Sequence, residues 1–179
     1  MSVVVALLRG INLGAKRRVA MADLRALLQD AGFENVRTHL QSGNVVLETA
    51  DPPDETARTM ERLMAERYGF DVDVIVRTAP ELADVAANSP FADVETDGSR
   101  HHVVFLPSEP DADALAELAE QDFEPDRYAA RGREIYAWCP NGMRDSHLMR
   151  ALADPRLAPT GTVRNWNTVT KLLALARPD

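Results

Sequence analysis

The sequence predicts a mixed α+β fold made of two tandem ferredoxin-like (α/β plait) units, residues 1–88 and residues 89–179. The first observation is the order of elements over residues 1–78, where periodicity gives strand, helix, strand, strand, helix, strand. The second is that strand, helix, hairpin, helix recurs after residue 100, although the halves show no clear residue-level repeat. The second unit is expected to be irregular, with a C-terminal helix.

Apolar periodicity defines the elements of the first unit. In chain order they are a buried strand over 3–8, a loop over 10–20, a helix over 21–31, strands over 36–41 and 45–49, a helix over 55–68 and a strand over 71–77. The turn Ser42-Gly43-Asn44 joins the two middle strands as a hairpin. Gly32 and Gly69 occupy positions that commonly end helices.

The second unit follows a connecting helix over 79–88 and a stretch over 89–99 whose Pro, Asp and Gly residues predict a boundary. Its predicted elements are a strand over 101–106, a helix over 111–121, hairpin strands over 127–130 and 134–139, a helix over 143–153, a strand over 160–163 and a helix over 165–176. The pattern therefore matches that of the first unit in element order only.

Composition bounds the classes of function. Hydrophobic residues make up 45% of the chain, no apolar run approaches the roughly 20 residues of a membrane helix, and the start lacks the basic region of a signal peptide. We therefore expect no membrane partner. A single cysteine, Cys139, excludes an internal disulfide framework and favours a reducing cytoplasm. Nothing in the sequence defines an oligomeric state.

The charge is unevenly distributed along the chain. The formal net charge is −8, which argues against non-specific binding to nucleic acid or membranes. Residues 1–22 and residues 155–178, however, each contain four cations and no acid. If these basic ends meet in space, they form a local positive site that favours a specific anion. The alternative interpretation is that both are solvated surface.

The loop after the first strand is the first candidate for such a site. Together with the preceding Arg9 it contains two glycines and four cations ahead of a predicted helix, and the candidate ligand-binding residues are Arg9, Gly10, Asn12, Gly14 and Lys16. Glycines allow a ligand to approach the backbone, and the N–H groups at a helix start are unpaired donors. The P-loop and dinucleotide fingerprints are absent, because the glycine spacing differs from both.

The second candidate lies near the C-terminus. With Asn165 as the N-cap of the last helix, Arg164, Asn167 and Lys171 gather near its positive end, where the dipole favours an anion by about 0.3–1 kcal/mol. Lys16 and Lys171 are the only lysines among twenty cationic residues, and lysine is a compact donor to phosphate. The alternative is simple capping with a solvated polar face.

The hairpin tip supplies weaker candidates, Ser42 and Asn44, which ordinary turn chemistry also explains.

No metal or cofactor is predicted. His101 and His102 are adjacent on a strand and point to opposite faces, and the remaining histidines and Cys139 lack ligand spacing. No paired carboxylates or general base are evident, so the sequence assigns no reaction.

Aromatic residues leave a role in nucleic-acid binding open. Tyr136 and Trp138 share one face of a predicted strand and are candidates to stack on a base. The interpretation that we favour is that they fill the joint between the two units.

Several segments together resemble a bacterial family catalogued as domain of unknown function 1697. They are Ala6-Leu7-Leu8-Arg9-Gly10-Ile11-Asn12-Leu13-Gly14, Met21-Ala22-Asp23-Leu24, Gln41-Ser42-Gly43-Asn44-Val45-Val46, Asn88-Ser89-Pro90-Phe91, Pro140-Asn141-Gly142 and Arg164-Asn165-Trp166-Asn167-Thr168-Val169-Thr170-Lys171-Leu172. The resemblance covers essentially the whole chain. It implies two ferredoxin-like units and no assigned activity, cofactor or partner. Ala15 and His147 stand where the family usually has glycine and lysine.

The leading hypothesis is a cytoplasmic protein that binds a small phosphorylated or carboxylated ligand at a basic site joining the N-terminal loop to the C-terminal helix. Its predicted ligand-binding residues are Arg9, Gly10, Asn12, Gly14, Lys16, Ser42, Asn44, Arg164, Asn167 and Lys171. The alternatives are a nucleic-acid-associated module and a protein–protein adaptor without a ligand.

Overall fold

The computed structural model describes residues 1–92 and 97–177. Within them the chain has a mixed α+β architecture with two four-stranded antiparallel sheets and six helices. It divides into two compact units, Met1–Asp84 with Lys171–Asp179, and Val85–Thr170. The first unit thus contains residues from both ends of the chain. Part of the boundary stretch expected over 89–99 lies outside the described residues.

The sheet of the first unit has the strand order β2-β3-β1-β4, with β1 (Ser2–Leu8), β2 (Glu34–His39), β3 (Asn44–Thr49) and β4 (Val74–Thr78). Helix α1 (Met21–Asp30) follows β1, and α2 (Pro53–Tyr68) follows β3. Alternate residues of β1, including Ala6 and Leu8, pack with Leu24 of α1 and with Met60 and Met64 of α2 in one buried cluster. This packing confirms the apolar helix stripes expected from the sequence.

Strand β2 (Glu34–His39) begins and ends two residues earlier than the strand expected over 36–41. Its register against β3 shifts between Glu34 and Arg37, which is the mark of a β-bulge. At its other end Leu40 adopts a left-handed backbone with φ 60°, and the His39 carbonyl accepts a hydrogen bond from Asn44 Nδ2 at 2.8 Å. These contacts end the strand at His39, and the turn takes residues 40–43.

The sheet of the second unit has the order β6-β7-β5-β8, with β5 (His101–Phe105), β6 (Arg127–Arg131), β7 (Glu134–Trp138) and β8 (Thr162–Asn165). Helix α4 (Ala112–Ala119) follows β5, and α5 (His147–Ala151) follows β7. Val104, Leu118, Ile135 and Leu148 lie in its buried cluster. Two further helices, α3 (Ala79–Ala87) and α6 (Trp166–Leu175), directly follow β4 and β8.

Helix α5 is shorter than the helix expected over 143–153. Ser146 is its N-cap: Ser146 Oγ accepts a hydrogen bond from the Met149 N–H at 2.9 Å and donates one to Asp126 Oδ2 at 2.6 Å. Because this contact with Asp126 fixes the cap, the residues before Ser146 form a turn instead of helix. The start of α6 was predicted correctly, since Asn165 Oδ1 accepts a hydrogen bond from the Thr168 N–H at 3.0 Å.

A residue-level repeat, which the sequence did not reveal, lies where β4 meets α3 and where β8 meets α6. Arg77 pairs with Val5 of β1, and Arg164 pairs with Val103 of β5, so the two arginines occupy equivalent positions. Both are buried, at 2% and 7% exposure. The residue after each arginine caps the following helix; at the first junction Thr78 and Glu81 form a reciprocal capping box. The two units therefore share a strand-to-helix junction.

His102 of β5 is expected to make the protein less stable in mild acid. The side chain is 4% exposed, and its Nε2 atom has no hydrogen-bond partner in the described part of the chain. Burial, together with the charges of His101 and Arg100, lowers the pKa of His102 below 6.5. The unfolded chain therefore binds a proton below about pH 6.5 that the folded chain resists, and stability falls on acidification by at most about 1.4 kcal/mol per pH unit.

Urea unfolding at pH 7.5 and 5.5 measures this dependence. His102→Gln removes the titrating group, so we expect the variant to lose less of its free energy of unfolding between the two pH values than the wild type. Equal losses in the two proteins would contradict the assignment to His102.

Candidate functional site

The loop between β1 and α1 is held closed by the side chain of Asn12. Its Nδ2 donates hydrogen bonds to the carbonyls of Val19 at 2.9 Å and Gln41 at 2.7 Å, and its Oδ1 accepts one from the Val19 N–H at 2.9 Å. Asn12 has a left-handed φ of 56°, which asparagine tolerates better than most residues. One amide thus closes the loop and ties it to the hairpin between β2 and β3.

Two cations of the loop also act within the first unit. Arg9 forms an exposed ion pair with Asp73 at 3.3 Å, a type of contact that contributes about 0–1 kcal/mol. Arg17 donates to the carbonyls of Gly10 at 2.9 Å and Asp71 at 2.7 Å, and its guanidinium lies 4.8 Å from the centre of the Phe70 ring. Sequence reasoning did not single out Arg17, because two of its three partners, Phe70 and Asp71, lie more than fifty residues away.

The hairpin tip packs directly on the loop at Gly43. The Leu8 N–H donates to the Gly43 carbonyl at 2.8 Å, and a Cβ atom at Gly43 would lie 2.8 Å from both Ile11 Cδ1 and Leu8 Cβ. Asn44 is fully buried, and its Nδ2 donates to Ser42 Oγ at 3.0 Å as well as to His39. The two glycine-containing motifs of the sequence therefore meet in one structural joint.

The same region leaves several polar groups exposed. Lys16 and Arg18 are exposed on the loop and form no hydrogen bond or ion pair with any residue that the structure describes. Exposed Lys171 of α6 belongs to this unit. Burial and the positive charge of Lys171 lower the pKa of His39, at the end of β2. We call Lys16, Arg18, His39 and Lys171 the basic edge of the first unit.

His39 was not predicted as a site residue, although it precedes the hairpin motif by two positions. Its relation to Lys171 spans more than 130 residues, and no local pattern encodes it. Two large apolar side chains in the same loop and hairpin are solvent-exposed, Leu13 at 75% and Leu40 at 56%. The loop thus presents cations and an apolar side chain, and the hairpin presents an apolar side chain next to His39.

Arg164 is a buried side chain and not part of an exposed basic end. Its guanidinium donates to Thr162 Oγ1 at 2.7 Å and to the Val163 carbonyl at 2.8 Å, and burial lowers its pKa to about 10. The group therefore remains charged at neutral pH. Asn167 is exposed, and Thr170 Oγ1 donates to the carbonyls of Trp166 and Asn167. These contacts explain part of the polar C-terminal motif as local structure.

Tyr136 does not offer a ring face to a base. The side chain is 2% exposed, and its hydroxyl donates to the Val85 carbonyl at 2.8 Å. Burial raises the pKa of Tyr136 to about 12. This geometry removes the observation that favoured base stacking at Tyr136, while Trp138 remains half-buried.

In the described ranges, no three His, Cys, Asp or Glu side chains are grouped so that they could hold a metal ion. Cys139 is buried, its thiol donates to Ser146 Oγ at 3.7 Å, and burial raises its pKa. Within residues 1–92 and 97–177, no helix has the length and apolar character needed to cross a membrane.

Comparison with known proteins identifies a family and a fold. The sequence profile of the family described as "Protein of unknown function (DUF1697)" matches residues 1–136. A solved structure of a conserved bacterial protein from Streptococcus pneumoniae is similar over 98% of this chain and 99% of that chain, with a TM-score of 0.79 and 22% sequence identity. At that identity the similarity shows the fold alone. No curated protein matches the sequence.

Proposed function

This chain belongs to the DUF1697 family of proteins of unknown function, and on that premise we propose that it binds a small phosphorylated or carboxylated molecule at the basic edge of its first unit. The supporting observation is that burial, together with the positive charge of Lys171 from the C-terminal helix, lowers the pKa of His39 on the hairpin, at the end of β2. That hairpin is joined to the N-terminal loop by the hydrogen bond from Asn12 to Gln41. Lys16, near the start of the sequence, and Lys171, near its end, thus belong to the same compact unit.

The predicted site residues divide into two roles in this proposal. Lys16 and Lys171 are the groups that contact the anion, because both are exposed. Asn12 and Asn44 hold the loop and the hairpin, as their amides bond to neighbouring backbone or side chains. Gly10 and Gly14 adopt left-handed backbones, with φ 67° and 75°, and shape the loop. The remaining members, Arg9, Ser42, Arg164 and Asn167, stay predictions as ligand donors.

We further infer that each unit is a ferredoxin-like plait and that the two stand in tandem. The support is the same element order in both, strand, helix, strand, strand, helix, strand. The strand orders β2-β3-β1-β4 and β6-β7-β5-β8 are also equivalent. The shared strand-to-helix junctions at Arg77 and Arg164 agree with this inference.

The proposed function predicts that an anion raises the pKa of His39. A bound phosphate favours the imidazolium form, whereas Lys171 opposes it. We expect tripolyphosphate, followed by NMR titration of the His39 ring protons, to raise this pKa in the wild type. Lys171→Ala should raise the pKa without ligand and weaken tripolyphosphate binding by about 10–100-fold, as expected for one charge-assisted contact. His39→Gln identifies the resonance.

Arg58→Ala is the matched control, since it removes an exposed charge from α2 of the same unit. If it weakened binding as much as Lys171→Ala, general electrostatics would explain the result and the site would be wrong. An unchanged His39 pKa across tripolyphosphate, nucleotides and sugar phosphates would also overturn the proposal. Tight, steeply salt-dependent binding of single-stranded oligonucleotides would replace it with a nucleic-acid-associated role.

A further inference from the structure

A cleft separate from the basic edge lies on the first unit beside strand β2. Its volume is about 490 Å³, within the range of about 300–1,000 Å³ typical of small-molecule sites. Its main lining residues are Val3, Gln29, Asn35, Arg37, Glu48 and Arg177. They come from both segments of this unit, because Arg177 follows α6. None of them belongs to the basic edge.

The β-bulge of β2 borders this cleft. The register shifts between Glu34 and Arg37, and Asn35 within the bulge has a left-handed φ of 49°. Glu48 of β3 is paired with Val3 of β1 in continuous register, and on its other side it is paired with Glu34, where the bulge begins. Bulges re-aim side chains and occur frequently next to binding sites. Here the bulge introduces Asn35 and Arg37 beside the carboxylate of Glu48, whose backbone is fixed by its pairing with β1.

The charged groups of the cleft lack partners. The Nε atom of Arg37 is buried and has no hydrogen-bond acceptor in residues 1–92 and 97–177. A buried donor without an acceptor is unfavourable, and such atoms are rare in native proteins. In the same described residues, neither Arg37, Glu48 nor Arg177 forms an ion pair within 4.0 Å, although guanidinium and carboxylate groups line one cleft. The charges of Arg37, Glu48 and Arg177 are therefore not compensated by one another, and Glu48 and Arg177 can be reached from the cleft.

We propose that this cleft binds a small anionic amino acid, a molecule with two carboxylates and one ammonium group. Arg37 and Arg177 each take one carboxylate, since the planar guanidinium matches carboxylate geometry. Glu48 takes the ammonium, and the amides of Gln29 and Asn35 bind the remaining polar atoms. Two positive charges and one negative charge in the cleft are the complement of this ligand. A simple phosphate or dicarboxylate leaves Glu48 without a partner and is repelled by it.

Isothermal titration calorimetry with L-aspartate and L-glutamate tests the proposal on the full chain. We expect saturable binding of at least one of them, and binding at least about tenfold weaker for glutarate, which lacks the ammonium, and for L-glutamine, which lacks the second carboxylate. Arg177→Gln should weaken binding about tenfold or more. Arg177 is exposed, so this variant is expected to fold even if Arg37→Gln does not.

The variant Glu48→Gln separates recognition from a structural role. It should reduce affinity for L-glutamate while leaving glutarate binding equal or tighter, because the repulsive carboxylate is gone. The proposal is overturned if neither amino acid gives saturable heat up to about 10 mM, well above the dissociation constant of weak specific sites. Equal affinity for glutarate and L-glutamate in the wild type would also overturn it. So would a Glu48→Gln effect that is the same for both ligands.

The basic edge and the cleft can fail independently. Lys171→Ala should weaken tripolyphosphate binding and leave amino-acid binding unchanged, and Arg177→Gln should do the reverse. If Lys171→Ala and Arg177→Gln weakened amino-acid binding equally, the amino acid would occupy the basic edge, and the cleft would not be its site.

Discussion

Gly43→Ala is expected to lower the free energy of unfolding by about 2–4 kcal/mol, through a strained backbone and a collision in the joint between hairpin and loop. Gly43 has a left-handed φ of 86°. A Cβ atom there would lie 2.8 Å from Leu8 Cβ, which β1 holds, and equally close to Ile11 Cδ1. The end of the Ile11 side chain can rotate away from the new methyl group. The Cβ atom of Leu8 cannot move in this way, because it is fixed to the backbone of β1 and Leu8 is fully buried. Urea unfolding followed by circular dichroism measures the loss.

Gly69→Ala is the matched control for the backbone term. Gly69 ends α2 with φ 75°, and a Cβ atom there would meet nothing within 4 Å. We expect a loss of about 1–2 kcal/mol, from conformation alone. If the two alanine variants lowered the free energy of unfolding by the same amount, Gly43 would be required only for its backbone conformation. The close packing of Gly43 on Leu8 would then contribute nothing to stability.

Asn12→Ala is expected to lower the free energy of unfolding by about 2–3 kcal/mol, because three hydrogen bonds of about 0.5–1.5 kcal/mol each are lost together. Two of them close the loop on Val19, and the third joins it to Gln41. Alanine also tolerates the left-handed backbone at this position less well than asparagine. Hydrogen exchange at the Val19 amide provides a local measurement, and it should become faster in the variant.

Asn167→Ala serves as the control for Asn12→Ala. The Asn167 side chain is exposed and makes no hydrogen bond within the ranges described, so the change should alter stability by less than about 0.5 kcal/mol. Unchanged Val19 exchange in Asn12→Ala would mean that the loop is held closed by other contacts, Arg17 above all.

The elements of the fold were predictable where local patterns determine them. The apolar stripe of α1, the glycine that ends α2 and the Asn165 cap of α6 are signals contained within one or two helical turns. The early start of β2 was not predictable, because its bulge depends on pairing with β3. The short α5 likewise depends on a contact between Ser146 and Asp126, twenty residues apart.

For the candidate site, the sequence predicted some of the residues involved but not the role that each one has in the structure. The sequence singled out Asn12 and Asn44 as ligand groups, whereas their side chains hold the loop and the hairpin, and Gly43, predicted only as a turn residue, packs against the loop. It treated Arg164 as part of a basic end, because counting charge along a chain cannot distinguish a buried strand position from an exposed one. His39 and Arg37 were missed because each is related to a residue far along the chain. Burial and the charge of Lys171 lower the pKa of His39, and Arg177 lines the same cleft as Arg37.

The composition of the first unit has a consequence for synthesis on the ribosome. The segments Met1–Asp84 and Lys171–Asp179 are separated by the whole second unit, whose translation takes roughly 5–20 s at about 5–20 residues per second. During that interval the nascent first unit lacks both Lys171 and Arg177. The basic edge is complete only once residue 171 has been added and the charged cleft only once residue 177 has been added, so the nascent chain acquires both proposed binding activities only after the whole second unit has been translated.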